Sequence, residues 1–103
     1  MTVAQWLRDR APQAPAELSA RVLEVLGDRA RRDAAQAPAV CLEAAEELLR
    51  TLVVRPEAGR EAALDLLSAD ALVTYAFEAG AAVPGWIAEH APTAMAHFAS
   101  AAE

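Results

Sequence analysis

Two histidines, one cysteine and a scatter of carboxylates are what this chain offers for chemistry. His90 and His97 stand seven residues apart, two turns along one side of a helix, with Glu89 beside the first. Helical zinc sites use an i,i+4 pair, as in H-E-x-x-H; here Ala94 occupies the position four after His90. The pair reads as structural or surface, and no metal or other cofactor is expected. Cys41 is a single thiol and cannot close an intramolecular disulfide. It falls on the apolar side of its segment and reads as a small buried hydrophobe. A nucleophilic role would need a histidine brought to it and a third group to orient that histidine. Asp70 and Glu78, one early and one late in an apolar run, complete the acid–base candidates. Lysine is absent, which removes Schiff-base and P-loop chemistry. Neither a Gly-rich phosphate loop nor a serine nucleophile elbow is present.

The 103 residues are enough for one domain, spanning 1–103, that buries roughly two-thirds of its unfolded surface. Alanine dominates, glycine is scarce, and valine and isoleucine are too few and too scattered for a sheet. Alanine has the highest helix propensity and loses no side-chain entropy on folding. The fold class expected is all-α: a compact bundle of four to five helices around a central buried helix at residues 57–79.

Charge narrows the partners. Residues 1–36 carry six arginines against five acids, net +1, and residues 37–103 carry three against ten, net −7. A chain of net charge −6 repels a phosphate backbone, so nucleic acid is not an expected partner. No apolar run approaches 18 residues, which argues against a membrane span. The start, MTVAQWLRDRAP, lacks the apolar core of a signal peptide. With arginine as the sole basic residue type, these features fit a bacterial, cytoplasmic protein.

Thr2 is positioned to cap a first helix from Val3 to about Arg10, with Trp6 and Leu7 apolar. Pro12 and Pro15 interrupt the chain, and Pro15 suits the first turn of a second helix. Leu18, Val22, Val25 and Leu26 form an amphipathic stripe there, and Gly27 is either its C-cap or an interior glycine. Residues 28–36, DRARRDAAQ, are either a solvated helical extension or a linker. Pro38 opens a third helix with Cys41, Ala45, Leu48, Leu49 and Leu52 on one side and Glu43, Glu46, Glu47 and Arg50 mostly on the other. Glu43–Glu47 is a like-charge i,i+4 pair and Glu46–Arg50 a favourable one. Arg55-Pro56 ends this helix. A fourth begins near Pro56 or Glu57, is apolar on most sides from Leu64 to Phe77, and stops at Gly80. The last segment follows VPG and holds Trp86, Ile87, His90, Ala94, Met95 and Phe98; Pro92 either kinks it or divides it.

Residues 66–81, LLSADALVTYAFEAGA, resemble the L-A-G-D-A-L-L-x-x-A-F-E helix of trans-prenyl diphosphate synthases. Asp70, Ala71, Leu72, Ala76, Phe77 and Glu78 match, and Ala69 replaces the usual glycine. The resemblance implies a helical fold and an isoprenoid-like ligand beside this helix, with Asp70, Tyr75, Phe77 and Glu78 as pocket candidates. The family's two D-D-x-x-D motifs, which hold Mg²⁺ against a diphosphate, have no counterpart: the chain has five aspartates and no two are adjacent. The resemblance thus implies a binder or a degenerate relative.

The expected function is a non-enzymatic helical interaction module that forms a homodimer or meets another protein partner. More than half of the residues are hydrophobic, 55%, and a five-helix monomer has limited capacity to cover them. Arg29, Arg31 and Arg32, the single basic cluster, and Trp86 are the interface candidates. The alternative is a carrier for a small apolar or isoprenoid-like ligand held between helices. A third possibility is an enzyme using Asp70, Glu78 and the histidines.

Overall fold

The computed structural model describes residues 1–10, 12–54 and 59–102. Five helices follow in order: α1 (Val3–Arg10), α2 (Ala16–Leu26), α3 (Ala37–Val54), α4 (Arg60–Gly80) and α5 (Trp86–Ala102). No strand occurs among the described residues. The radius of gyration, 13.3 Å, is that of a single folded unit of this length, about 13 Å. The expected boundaries at Arg55, Pro56 and Glu57 lie outside the described residues.

Local chemistry explains most helix ends. Thr2 and Gln5 form a reciprocal capping box: Gln5 N–H donates to Thr2 Oγ1 at 3.2 Å, and Thr2 N–H donates to Gln5 Oε1 at 2.8 Å. Pro15 occupies the N-cap position of α2, and Gly27 ends that helix at φ 58°, a conformation that suits glycine. Residues 27–36 settle the choice between helix and linker in an intermediate way, as two 3₁₀ turns, Gly27–Arg31 and Ala34–Gln36. Asp33 caps the second turn, its Oδ1 accepting from Ala35 N–H at 2.8 Å. The first residues of the chain tie this connection down: Val3 N–H donates to Arg32 O and Ala34 N–H to Met1 O, both at 2.9 Å.

α3 and α4 form an antiparallel pair with a more extensive contact than any other two helices. α2 lies beside α4, α5 lies beside α3, and α1 crosses near the far end of α4. The core joins Val3 and Leu7 of α1, Val22 and Leu26 of α2, Val40, Cys41 and Leu42 of α3, Leu72 and Ala76 of α4, and Trp86 and Ala94 of α5. Pro92 does not divide the last segment: α5 is one helix with Pro92 inside it, on its exposed side.

Two expectations need refinement. α4 is central, touching α2, α3 and α5, but it is buried on one face and only from Ser68 onward. Leu66 and Leu67 are each 58% exposed, and α3 carries the larger buried set. Gly80 does end α4, yet not through a left-handed cap, since its φ is not positive. It is buried because the Trp86 indole lies directly on it. A Cβ at position 80 would come within 2.7 Å of three indole ring carbons.

Gly80→Ala therefore sets a gain of about 1 kcal/mol in helix propensity against an overpacking cost of about 1–3 kcal/mol. We expect a net loss of stability of up to about 2 kcal/mol by urea denaturation. The loss should shrink when Trp86 is also replaced by Leu; undiminished loss in the double variant would place the cost elsewhere.

Candidate functional site

Arg29, one of the three arginines expected at an interface, instead turns inward. Its side chain is 15% exposed. Nε and Nη2 donate to the carbonyls of Leu26 (3.1 Å) and Val25 (3.0 Å) in the last turn of α2. Nη1 donates to Glu43 Oε1 at 3.0 Å and to Glu47 Oε2. Burial would lower the pKa of this guanidinium, but the hydrogen bonds and charges of Glu47 and Glu43 outweigh it and leave it raised. One cation thus closes a helix C-terminus and neutralises the like-charge Glu43–Glu47 pair. Arg31 is exposed and pairs with Asp28, and Arg32 is exposed. Of the basic cluster, only those two face solvent.

Trp86 is likewise not a surface residue. At 8% exposure it belongs to the core. It meets Phe77 edge to face, with centroids 5.6 Å apart, and stacks on His90 at 4.5 Å. His90 donates through Nδ1 to the Trp86 carbonyl at 2.9 Å. His97, two turns on, donates through Nδ1 to Glu46 Oε1 at 3.0 Å and so links α5 to α3. Glu46, expected mostly on the outer side, is 17% exposed and also pairs with Arg50 at 3.6 Å. Both histidines line the seam between α3 and α5, each with its own partner. Cys41 is fully buried in the core, its thiol pushed up to about 12 by burial against a smaller opposing effect of Arg29. Among the described residues, no group of three or more His, Cys, Asp or Glu side chains is arranged to hold a metal ion.

The four pocket candidates on α4 diverge. Asp70 is exposed, and its carbonyl accepts from Thr74 Oγ1 at 3.0 Å. Phe77 leans on Trp86. Tyr75 points the other way and meets Trp6 of α1 edge to face at 6.4 Å. Burial, then the nearby Glu78 carboxylate, push the Tyr75 phenol up and keep it protonated. Glu78 accepts from Arg10 Nε at 2.8 Å. Tyr75 and Glu78 are thus brought together by α1, while Asp70 and Phe77 stand apart from them.

Beside Tyr75 lies a cleft of about 210 Å³ between α1 and α2, with Leu7, Arg8, Ser19 and Val22 among its walls. Sequence reading missed it, because it depends on how α1 crosses the bundle. The one available signal was the Ala4–Arg8 spacing, which puts Arg8 one turn beyond Ala4 on the same face.

No protein-family model matches the chain, and neither a curated protein nor a solved structure does.

Two outcomes test this geometry. Arg29→Met should cost about 2 kcal/mol, because two helix carbonyls and two neighbouring glutamates lose a charged partner; chemical denaturation measures it, and an unchanged midpoint would contradict the inward placement. Cys41 should be inert to Ellman's reagent in the folded protein and react on unfolding. Its folded pKa lies above the unfolded value, so the stability it contributes is complete below about pH 9 and is lost as pH rises toward about 12. Denaturation midpoints that fall over that window in the wild type, and fall less in Cys41→Ala, would show it.

Proposed function

We propose that this chain is a cytoplasmic, non-enzymatic helical interaction module that self-associates through the closed end of its α3–α4 hairpin. One observation carries the reading: among the described residues from Leu49 to Leu67, none is buried. That stretch holds Leu49, Leu52, Val53, Val54, Leu64, Leu66 and Leu67. Val54 is 77% exposed and Leu66 and Leu67 58% each. Leu52 and Leu66 line one shallow groove with Ala62 and Ala63. α2 reaches this end with charge instead of apolar cover, through Arg21–Asp65 at 2.6 Å and Arg60–Glu17 at 3.0 Å.

Area supports a second copy as the partner. A folded monomer of 10.9 kDa exposes about 5,600 Å². This chain exposes 6373 Å². The excess, about 800 Å², is what each partner contributes to an interface of standard size. No helix among the described residues is long and apolar enough to cross a membrane, so a bilayer-spanning use of these side chains has no support. The outward position of Arg31 and Arg32 makes a secondary charged contact compatible with the same reading.

Sedimentation or native mass spectrometry at tens of micromolar should show a dimer. Two copies of net charge −6 repel each other, so added salt should strengthen an apolar association. Leu66→Glu with Leu67→Glu should give a monomer of unchanged helix content by circular dichroism. A strictly monomeric wild type, or a double variant that still dimerises, would overturn the proposal.

A further inference from the structure

The cleft beside Tyr75 has the composition of a small-molecule site. Leu7 and Val22, both buried, and Leu23 supply apolar walls. Three polar side chains reach it: Arg8, Ser19 and Tyr75. All three can donate hydrogen bonds to an anion, and the phenol of Tyr75 stays protonated near neutrality. Their availability is unusual here. Arg10, Arg21, Arg29, Arg31, Arg50 and Arg60 are each engaged by a carboxylate, whereas Arg8, like Arg32, has no ion-pair partner among the described residues. Neither the Ser19 nor the Tyr75 hydroxyl has a hydrogen-bond partner among them. Trp6 braces the Tyr75 ring edge to face, with the two planes at 88°, so that wall is set in advance of any ligand.

Size limits the occupant. An apolar cavity of about 150 Å³ accepts benzene, so one of about 210 Å³ suits a chain or ring of about eight to ten heavy atoms. One cation at the rim matches one negative charge. We propose that this cleft binds a small monocarboxylate with an apolar tail, the tail against Leu7, Val22 and Leu23 and the carboxylate on Arg8 and the two hydroxyls. The site is separate from the hairpin end, and the proposal does not rest on self-association.

The test is titration of the ¹⁵N-labelled full chain with octanoate, and with 1-octanol as the neutral match of equal length. Octanoate should give saturable amide shifts at Ala4, Arg8, Ser19, Leu23 and Tyr75. Arg8→Gln, an exposed change that leaves the walls intact, should weaken octanoate about three- to tenfold and leave 1-octanol unchanged. Leu23→Trp should fill the cleft and abolish both; its spectrum reports whether the variant is folded, and Arg8→Gln stands independently of it. Absence of saturable shifts at millimolar octanoate would overturn the site, as would shifts confined to Leu64–Leu67. Equal octanoate affinity in Arg8→Gln would overturn the carboxylate assignment.

Discussion

Everything in this bundle is hung on the contact between α3 and α4, and the buried residues of that pair are mostly small. Ala37, Cys41, Ala44 and Ala45 on one helix and Ser68, Ala69, Ala76, Ala79 and Gly80 on the other are all buried. Small side chains let two helices approach closely, but each methyl removed from water contributes only about 0.8 kcal/mol. The pair therefore depends on a few large anchors, of which Leu72 of α4 and Leu26 of the neighbouring α2 are the largest fully buried side chains. Ser68 shows how strict the packing is: it is fully buried, and its hydroxyl is satisfied by donating to the Leu64 carbonyl one turn back at 2.8 Å. No buried side-chain nitrogen or oxygen among the described residues lacks a partner.

The charged residues divide along the same axis. Near the core, Arg29 does the work of a helix cap and a charge bridge at once, and Arg10–Glu78 fastens α1 to α4. That second pair is half exposed and contributes about 1 kcal/mol or less. At the opposite end the ion pairs Arg21–Asp65 and Arg60–Glu17 stand where a core would otherwise continue. Arg21 and Asp65 are the more enclosed of these, and the hydrogen bond to Asp65 raises the Arg21 pKa. The bundle is tightly packed at one end and held by charge at the other.

Much of this was readable in the residues. Alanine content gave the class, prolines 15 and 38 located two helix starts, and the Val22–Leu26 spacing located the inward stripe of α2. Thr2 was readable as a cap because its bond partner is three residues away. What could not be read were contacts between residues distant in sequence. Arg29 lies in a polar run that looks solvated, and only the fold brings Glu43 and Glu47 to it. Trp86 follows a turn and looked available for an interface, yet Gly80 leaves room for its ring. Hydrophobicity alone misplaced Leu66 and Leu67: composition says that they prefer burial, and topology decides whether anything is there to bury them. The cleft at Tyr75 had little pattern beyond Tyr75 itself and the Ala4–Arg8 spacing, being assembled from α1, α2 and α4.

Pro92 carries a consequence for how the molecule opens. It has no N–H to give the carbonyl of Ala88, so α5 loses one internal bond where it passes from its Trp86 anchor to its later turns. Beyond that point the described links to the bundle are Ala94, Phe98 and the His97–Glu46 bond. Native proteins unlatch in cooperative units, from the weakest to the strongest. With so few links, the second half of α5 is held to the bundle by little besides these three residues. Its departure would bare the flank of α3 that continues, at helical spacing, toward Val53 and join that surface to the apolar end already exposed.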